Sequence, residues 1–416
     1  MMITLMEKYI AYLEKHRQDK ISPEILFCLP YQLLRESYSD KKLRADGVFF
    51  SNPAVANKLV LELGVLSPSD IVIDPCCGAG DLLLAYVNNL PKHDEPEDFL
   101  DAWAEIIYGN DINEDLVDVT NLRLIMAAYF MCRKKYSIDD CIRTWEKFRF
   151  PHLSAGDTLN TDINSAKVVL LNPPYQQRQI KKKYSWSSGN ISMAAVFLYE
   201  LFKRNSRAKF AAILPDVIRS GSRYQKLRGE LSAFRWDSAT IYGRFDKQTD
   251  VDVFLISNQS SQEDNKKCEH PVATISKYFD VHVGSIVPHR DEVTGRECLY
   301  LTAKNTPSGS ELRVFLKKYQ SKREPFLGPF LVIKRTSSPS DKRRCAATVI
   351  NSTEQFYVEN HLIVLLPRDK SVETCRKALR FFNSDDCDQI INMRIRCRHL
   401  TVSSIKELPY KETENE

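Results

Sequence analysis

Asn172-Pro173-Pro174-Tyr175 follows the aliphatic run 168–171 directly, placing an amide and a phenol on one turn. Proline fixes its own φ and donates no backbone hydrogen bond, so the run reads as a buried strand that stops abruptly at a stiff corner. Three other stretches carry chemistry-bearing residues at the same kind of place. "VIDPCCGAGDLL" has Asp74 closing a strand, then Gly78 and Gly80 where backbone must approach a ligand before a helix begins. "YGNDIN" puts Asp111 at the next strand end, where a carboxylate suits a ribose diol. "SAGDTL" puts Asp157 at a third, where it can accept from an exocyclic amine. Singly these are weak signals, because an acidic residue at a strand end is often only a helix N-cap. Their joint occurrence on consecutive strand ends is what points to a ligand site along the carboxyl edge of an open sheet.

The elements that must position these residues alternate between strand and helix. A helix at 53–64 opens on Pro53 and closes on Gly64; strands follow at "DIVIDP", "IIYGND", "FPHLSAGD", "AKVVLLN" and "AKFAAILP", with helices between them. This alternation predicts an α/β fold, a doubly wound and mostly parallel sheet covered on both faces. "TIYGRF" and "VDVFLISN" read as an antiparallel pair at the sheet edge, and the acidic, proline-bearing segment 91–102 as an inserted loop. Residues 1–45 are read as an N-terminal helical extension, 46–265 as the ligand-binding domain and 266–416 as a C-terminal α+β or β-rich domain, where short strands alternate with basic loops.

With 416 residues, 43% hydrophobic and 27% charged, the chain has the composition of a soluble globular protein. No apolar run approaches the ~20 residues of a membrane span, and the charged N-terminus lacks the apolar block of a secretory signal, so a cytoplasmic protein without a membrane partner is expected. Eleven cysteines with no C-x-x-C spacing point to reduced thiols and give no metal site. The net charge of +5 is uneven: residues 311–344 hold ten Lys/Arg against three Asp/Glu, a cluster that could meet a polyanion.

These motifs resemble the S-adenosylmethionine-dependent adenine-N6 DNA methyltransferases, in the subgroup whose cofactor motifs come first and whose target-recognition domain comes last. The resemblance covers about residues 47–257 and implies a Rossmann-like methyltransferase fold. "GVFFSNPAVANKLV" is similar to the family's opening motif, with Ser51-Asn52-Pro53 in place of Thr-Pro, and implies cofactor contacts from Phe50 and Pro53. "DPCCGAGDLL" is similar to its glycine loop and implies contacts from Asp74, Cys76, Gly78 and Gly80. "GNDIN" supplies Asp111 and Ile112 for the ribose side, 31 residues after Gly80 rather than the ~20 of a dinucleotide fold. "GDTL" supplies Asp157 and Thr158 for the cofactor's adenine. "NPPY" matches the catalytic tetrapeptide, implying that Asn172, Pro173, Pro174 and Tyr175 are catalytic and that Asn172 also borders the cofactor. "IYGRFDKQTDVDVFLI" implies that Phe245, opposite Tyr175, walls in a base flipped out of the duplex.

The chemistry fits those residues. An adenine amine is a poor nucleophile because its lone pair is delocalised into the ring. Acceptors at the Asn172 side-chain oxygen and the Pro173 carbonyl, set against its two N–H bonds, localise that pair. The base must leave the stack to be reached. Phosphate contacts are expected from Lys181, Lys182 and Lys183, and DNA contacts from Lys334, Arg335, Lys342, Arg343 and Arg344 in the C-terminal domain. Double-stranded DNA is the expected partner, and a cognate restriction endonuclease or specificity subunit a further one in a restriction–modification or defence system. The alternatives are an RNA or protein-glutamine N-methyltransferase, or a catalytically silent DNA-binding homologue.

Overall fold

Along β1 (Val72–Asp74), β2 (Ile107–Asp111), β3 (Leu153–Ala155), β4 (Val168–Leu171), β7 (Lys209–Pro215), β8 (Thr240–Arg244) and β9 (Asp252–Ser257), successive side chains point to opposite sides. Between β4 and β7, β5 (Gln177–Ile180) and β6 (Gly189–Ser192) form a separate antiparallel hairpin. The computed structural model describes residues 4–37, 51–160, 162, 164–236, 239–245, 251–259, 273–396 and 398–410. The seven strands make one sheet in the order β3-β2-β1-β4-β7-β9-β8. The first five neighbours run parallel, while β9 is antiparallel to both β7 and β8. Val168, Leu170, Ala211 and Ile213 bury on one face and Val169, Leu171, Ala212 and Leu214 on the other. A sheet buried on both faces explains why its strands read as unbroken aliphatic runs.

Helices cover both faces. On one lie α1 (Leu5–Lys15), α2 (Leu29–Ser37), α3 (Pro53–Leu61), α4 (Asp81–Val87), α5 (Pro96–Ile106), α6 (Glu114–Met131) and α7 (Ile138–Trp145); on the other lies α8 (Met193–Arg204). Strand order reverses at β1, between β2 and β4, and such a switch point opens a crevice at the carboxyl ends of the strands. All this belongs to one compact unit, residues 1–219 with 224–266. The N-terminal helices are part of it: α1 buries Leu5, Tyr9 and Leu13, and the Leu5 and Met6 N–H groups donate to the Asp115 carboxylate at 2.8 and 2.9 Å. The segment 91–102, expected to be a loop, is instead largely α5. Pro96 at its first position and Glu97 and Asp98 in its first turn are helix-start signals, and Phe99, Leu100, Trp103 and Ile106 bury one face.

The second unit, residues 220–223 with 267–416, holds two sheets. Their strands are β10 (Phe279–Val283), β11 (Arg296–Leu301), β12 (Ser310–Leu312), β13 (Lys318–Ser321), β14 (Phe326–Leu327), β15 (Phe330–Lys334), β16 (Ala347–Ile350), β17 (Gln355–Val358) and β18 (Leu362–Pro367). The five-stranded sheet runs β10-β18-β15-β16-β12 and the four-stranded one β13-β11-β17-β14. Ile333, Val349 and Leu365 pack under α9 (Val372–Phe382) and α10 (Asp385–Arg394), while Phe330, Val332 and Val364 meet Leu301 and Phe356 of the smaller sheet. The C-terminal part is therefore a mixed α and β layer structure. Among the described residues no helix is long and apolar enough to cross a membrane.

Candidate active site

The turn between β1 and α4 is shaped by its glycines. Gly78 and Gly80 hold φ of 52° and 87°, in the left-handed region that glycine enters without strain. A Cβ on Gly80 would lie 2.9 Å from Thr120 Cγ2, so close packing against α6 reserves the position for glycine as well. The loop is tied to its surroundings: Gly78 N–H donates to Asp111 Oδ2 at 3.0 Å, Thr120 Oγ1 to the Gly78 carbonyl at 2.8 Å and Cys77 N–H to the Asn110 carbonyl at 2.9 Å.

Asp74 is 1% exposed at the end of β1, with Oδ1 accepting from Cys76 N–H at 3.1 Å. Burial pushes its carboxyl up to about 8; the Cys76 N–H pulls it back, and the charges of Asp111 and Asp81 raise it further. Burial also raises Asp111, against backbone N–H groups of Asn113, Gly78 and Ile112. Ile112 is 81% exposed, and Asp157 is exposed, its carboxylate accepting from Leu159 N–H at 3.0 Å. A cavity of about 450 Å³ lies beside it, bordered by Tyr108, Asn110 and His152. Thr158, expected at the cofactor, is buried and its hydroxyl is used inside the protein: it donates to the Pro75 carbonyl and accepts from Asn110 Nδ2 at 3.3 Å. Cys76 is half-buried, its thiol 3.7 Å from Thr158 Oγ1 and pushed up by burial. Phe50 lies outside the described residues; Pro53 starts α3 behind an Asn52 cap.

Asn172 leaves β4 at the crevice. Its Nδ2 donates to Ser51 Oγ at 2.9 Å, and its Oδ1 accepts from the Tyr175 hydroxyl at 2.8 Å. Burial raises the Tyr175 phenol well above its usual value, so it stays neutral and donates. The Tyr175 ring meets Phe245 edge-on, with centroids 6.0 Å apart and planes at 81°. The two rings are in contact rather than standing apart as parallel walls. Phe245 is 2% exposed and packs in the core.

Sequence reasoning marked Ser51 only as a departure within the opening motif and passed over Asp81 and Arg123. Arg123 is 1% exposed on α6; its Nη1 donates to Asp81 Oδ1 at 2.9 Å and to the Ala79 carbonyl, and its Nε to the Leu26 carbonyl at 2.9 Å. The signal was a lone guanidinium in the apolar run "NLRLIMAAYF", since a buried charge must be paired. Asp81 also accepts from the Ser51 backbone N–H, and together these contacts connect Asp111, the glycine loop, Arg123, Asp81, Ser51, Asn172 and Tyr175.

The basic residues separate. Lys181, Lys182 and Lys183 are all exposed between β5 and β6, Lys182 pairing with Glu200 at 2.5 Å, and Trp186 of the same loop is 3% exposed, stacked on Tyr184. Lys342 is exposed, and Lys334 and Arg335 are half-buried. Arg344, expected on a DNA surface, is 0% exposed: its Nη1 donates to the Ser337 carbonyl at 2.6 Å and its Nη2 to the Ile395 carbonyl at 2.9 Å. Arg343 pairs with Asp385 and Asp388 at 2.6 and 2.7 Å. Both hold α10 to its sheet, and charge reversal there would test folding rather than DNA affinity.

Residues 26–216 match the family model described as N-6 DNA Methylase. No curated protein matches the chain. Solved structures similar to it include a modification subunit of a putative type I restriction enzyme from Vibrio vulnificus, at 17% identity and a TM-score of 0.39, over 55% of this chain and 47% of that one. Another is the type IIL restriction-modification enzyme MmeI in complex with DNA, at 10% identity and a TM-score of 0.47, over 90% of this chain and 66% of that one. A third is the type IIG restriction endonuclease BpuSI, at 12% identity and a TM-score of 0.43, over 92% and 60%. The chain thus spans about half the length of the Vibrio subunit.

Proposed function

We propose, from the match of residues 26–216 to the N-6 DNA Methylase family model, that the chain transfers a methyl group from S-adenosylmethionine to adenine N6 of a base flipped out of duplex DNA. The observation that carries this reading is the Asn172-Pro173-Pro174-Tyr175 corner, at the end of the strand beside the glycine loop, with its side-chain amide held at both ends. The cofactor's fit rests on the donor set. Asp74, with the charges of Asp111 and Asp81 near it, is a buried carboxyl at the glycine loop that a ligand carrying an ammonium and a sulfonium charge would favour in its ionised form. Asp111 would hold the ribose, Asp157 the adenine amine, and Ile112 the adenine face.

When bound, the cofactor supplies an electrophilic methyl carbon on sulfur. The chain's part is to bring the amine into line and prepare it. Asn172 Oδ1 and the Pro173 carbonyl accept from the two N–H bonds, the nitrogen lone pair turns toward the methyl carbon, and the new C–N bond forms as the C–S bond breaks. The sulfur would keep the C–S bonding pair, and the cationic amine would then lose one proton to solvent. Tyr175 stays protonated throughout and takes no part as a base. For it to become a stacking surface, its ring must turn away from Asn172.

A cytoplasmic modification enzyme working with a restriction endonuclease or a specificity subunit is the setting proposed, with the C-terminal unit reading DNA sequence. Tritiated methyl transfer offered in parallel to duplex DNA, RNA and protein tests the substrate class. Label in duplex DNA is expected; label confined to RNA or protein would overturn it.

The raised carboxyl of Asp74 has a consequence for pH. It holds a proton in the folded, ligand-free protein up to about 8, whereas the unfolded chain releases it near 3.8. Over that window the folded state binds more protons, so this group's contribution to stability declines as pH rises. Melting the ligand-free protein from pH 5.5 to 8.5 should show this decline, reduced in Asp74→Asn, while the wild type binds its cationic cofactor more tightly as pH rises. A slope identical in the two proteins would contradict it.

A further inference from the structure

We infer that Ser51 is a positioning residue for methyl transfer, clamping the Asn172 amide from behind; this rests on the methyltransferase reading above. Ser51 is 4% exposed, and its Oγ accepts from Asn172 Nδ2 at 2.9 Å across 121 residues of sequence. The serine is itself anchored. Its backbone N–H donates to the Asp81 carboxylate, which Arg123 pairs at 2.9 Å. Arg123 in turn is held by the Leu26 carbonyl at 2.9 Å. On the other side, Asn52 Oδ1 caps α3 by accepting from Val55 N–H at 3.0 Å, with Pro53 fixing the first helical residue. The Ser51 backbone therefore sits between two fixed points.

The clamp matters because an asparagine amide turns in a broad, shallow torsional well. A contact at Nδ2 on one side and the Tyr175 hydroxyl at Oδ1 on the other, 2.8 Å away, restricts that rotation. When Tyr175 yields its place to a target base, the Ser51 contact stays to aim Oδ1 at the amine. Its loss should lower the rate of the transfer step, because misaligned groups lose the advantage of proximity, and should leave cofactor binding alone. The opening-motif serine thus acts through Asn172.

The experiment uses the full chain and measures single-turnover methyl transfer to duplex DNA, together with cofactor affinity. Ser51→Ala should lower the transfer rate about tenfold to a hundredfold, with cofactor affinity and DNA KM within about threefold. Ser51→Cys, close in size but a weak acceptor, should share the loss, and Ser51→Thr, which keeps the hydroxyl, should restore most of the rate. An unchanged rate in both Ala and Cys variants overturns the inference, as does an equal loss in the Thr variant or a loss that follows cofactor affinity. A wild-type chain that methylates no DNA overturns the methyltransferase reading and this inference with it, whereas an active wild type isolates the serine.

Discussion

Asn172→Ala is expected to reduce methyl transfer about a hundredfold to a thousandfold, with the cofactor dissociation constant changing by no more than about threefold. The separation follows from where the side chain sits. Its oxygen stands at the crevice beyond β4 and its nitrogen is taken by Ser51, so truncation deletes the acceptor proposed for the amine without disturbing Asp74, the glycine loop or Asp111. Removing a preorganised group of this kind costs about 2.7–4 kcal/mol of transition-state stabilisation. Asn172→Asp replaces the amide donor by a carboxylate oxygen facing Ser51 Oγ and should also lose most activity. Single-turnover kinetics with parallel calorimetry reads both quantities, and retained turnover in the Ala variant would remove Asn172 from the chemistry.

Arg123→Met is expected to destabilise the first unit by about 3–5 kcal/mol, the range for leaving one partner of a buried ion pair alone. Asp81 would lose its counter-charge, and the Leu26 and Ala79 carbonyls would lose a donor, inside a core where Arg123 is 1% exposed. For a unit of this size that corresponds to roughly 6–12 °C in the melting transition of the first unit. Combining Asp81→Leu with Arg123→Met should recover much of it, because replacing both partners by apolar groups avoids the unpaired charge. A single-variant melt within about one degree of the wild type would show that the pair is not holding the loop.

The fold and the family resemblance were legible because their signals are local. Aliphatic runs such as "AKVVLLN" are two-faced strands, and the order of strand and helix leaves little freedom in how the sheet is wound. Helix α5 was missed because its acidic first turn was read as solvated loop chemistry, although Pro96, Glu97 and Asp98 are a start signal. In the site, sequence could mark strand ends but not what a side chain reaches. Ser51 and Asn172 are 121 residues apart, and their contact depends on α3 being capped beside β4. Thr158 shows the reverse: its motif position suggested a ligand, yet its hydroxyl turns back to the Pro75 carbonyl. The basic run near 342–344 misled for a similar reason. Charge in a sequence is silent about pairing, and the acids that pair with Arg343 lie on α10, more than forty residues on.

Single-molecule sequencing of genomic DNA from a methylation-free host tests the central assignment most directly. Cells making the intact chain, alone or with its natural companions, should acquire 6-methyladenine at one recurring sequence, and cells making Asn172→Ala should not. DNA that stays free of 6-methyladenine in every case, with the chain folded and present, would contradict it.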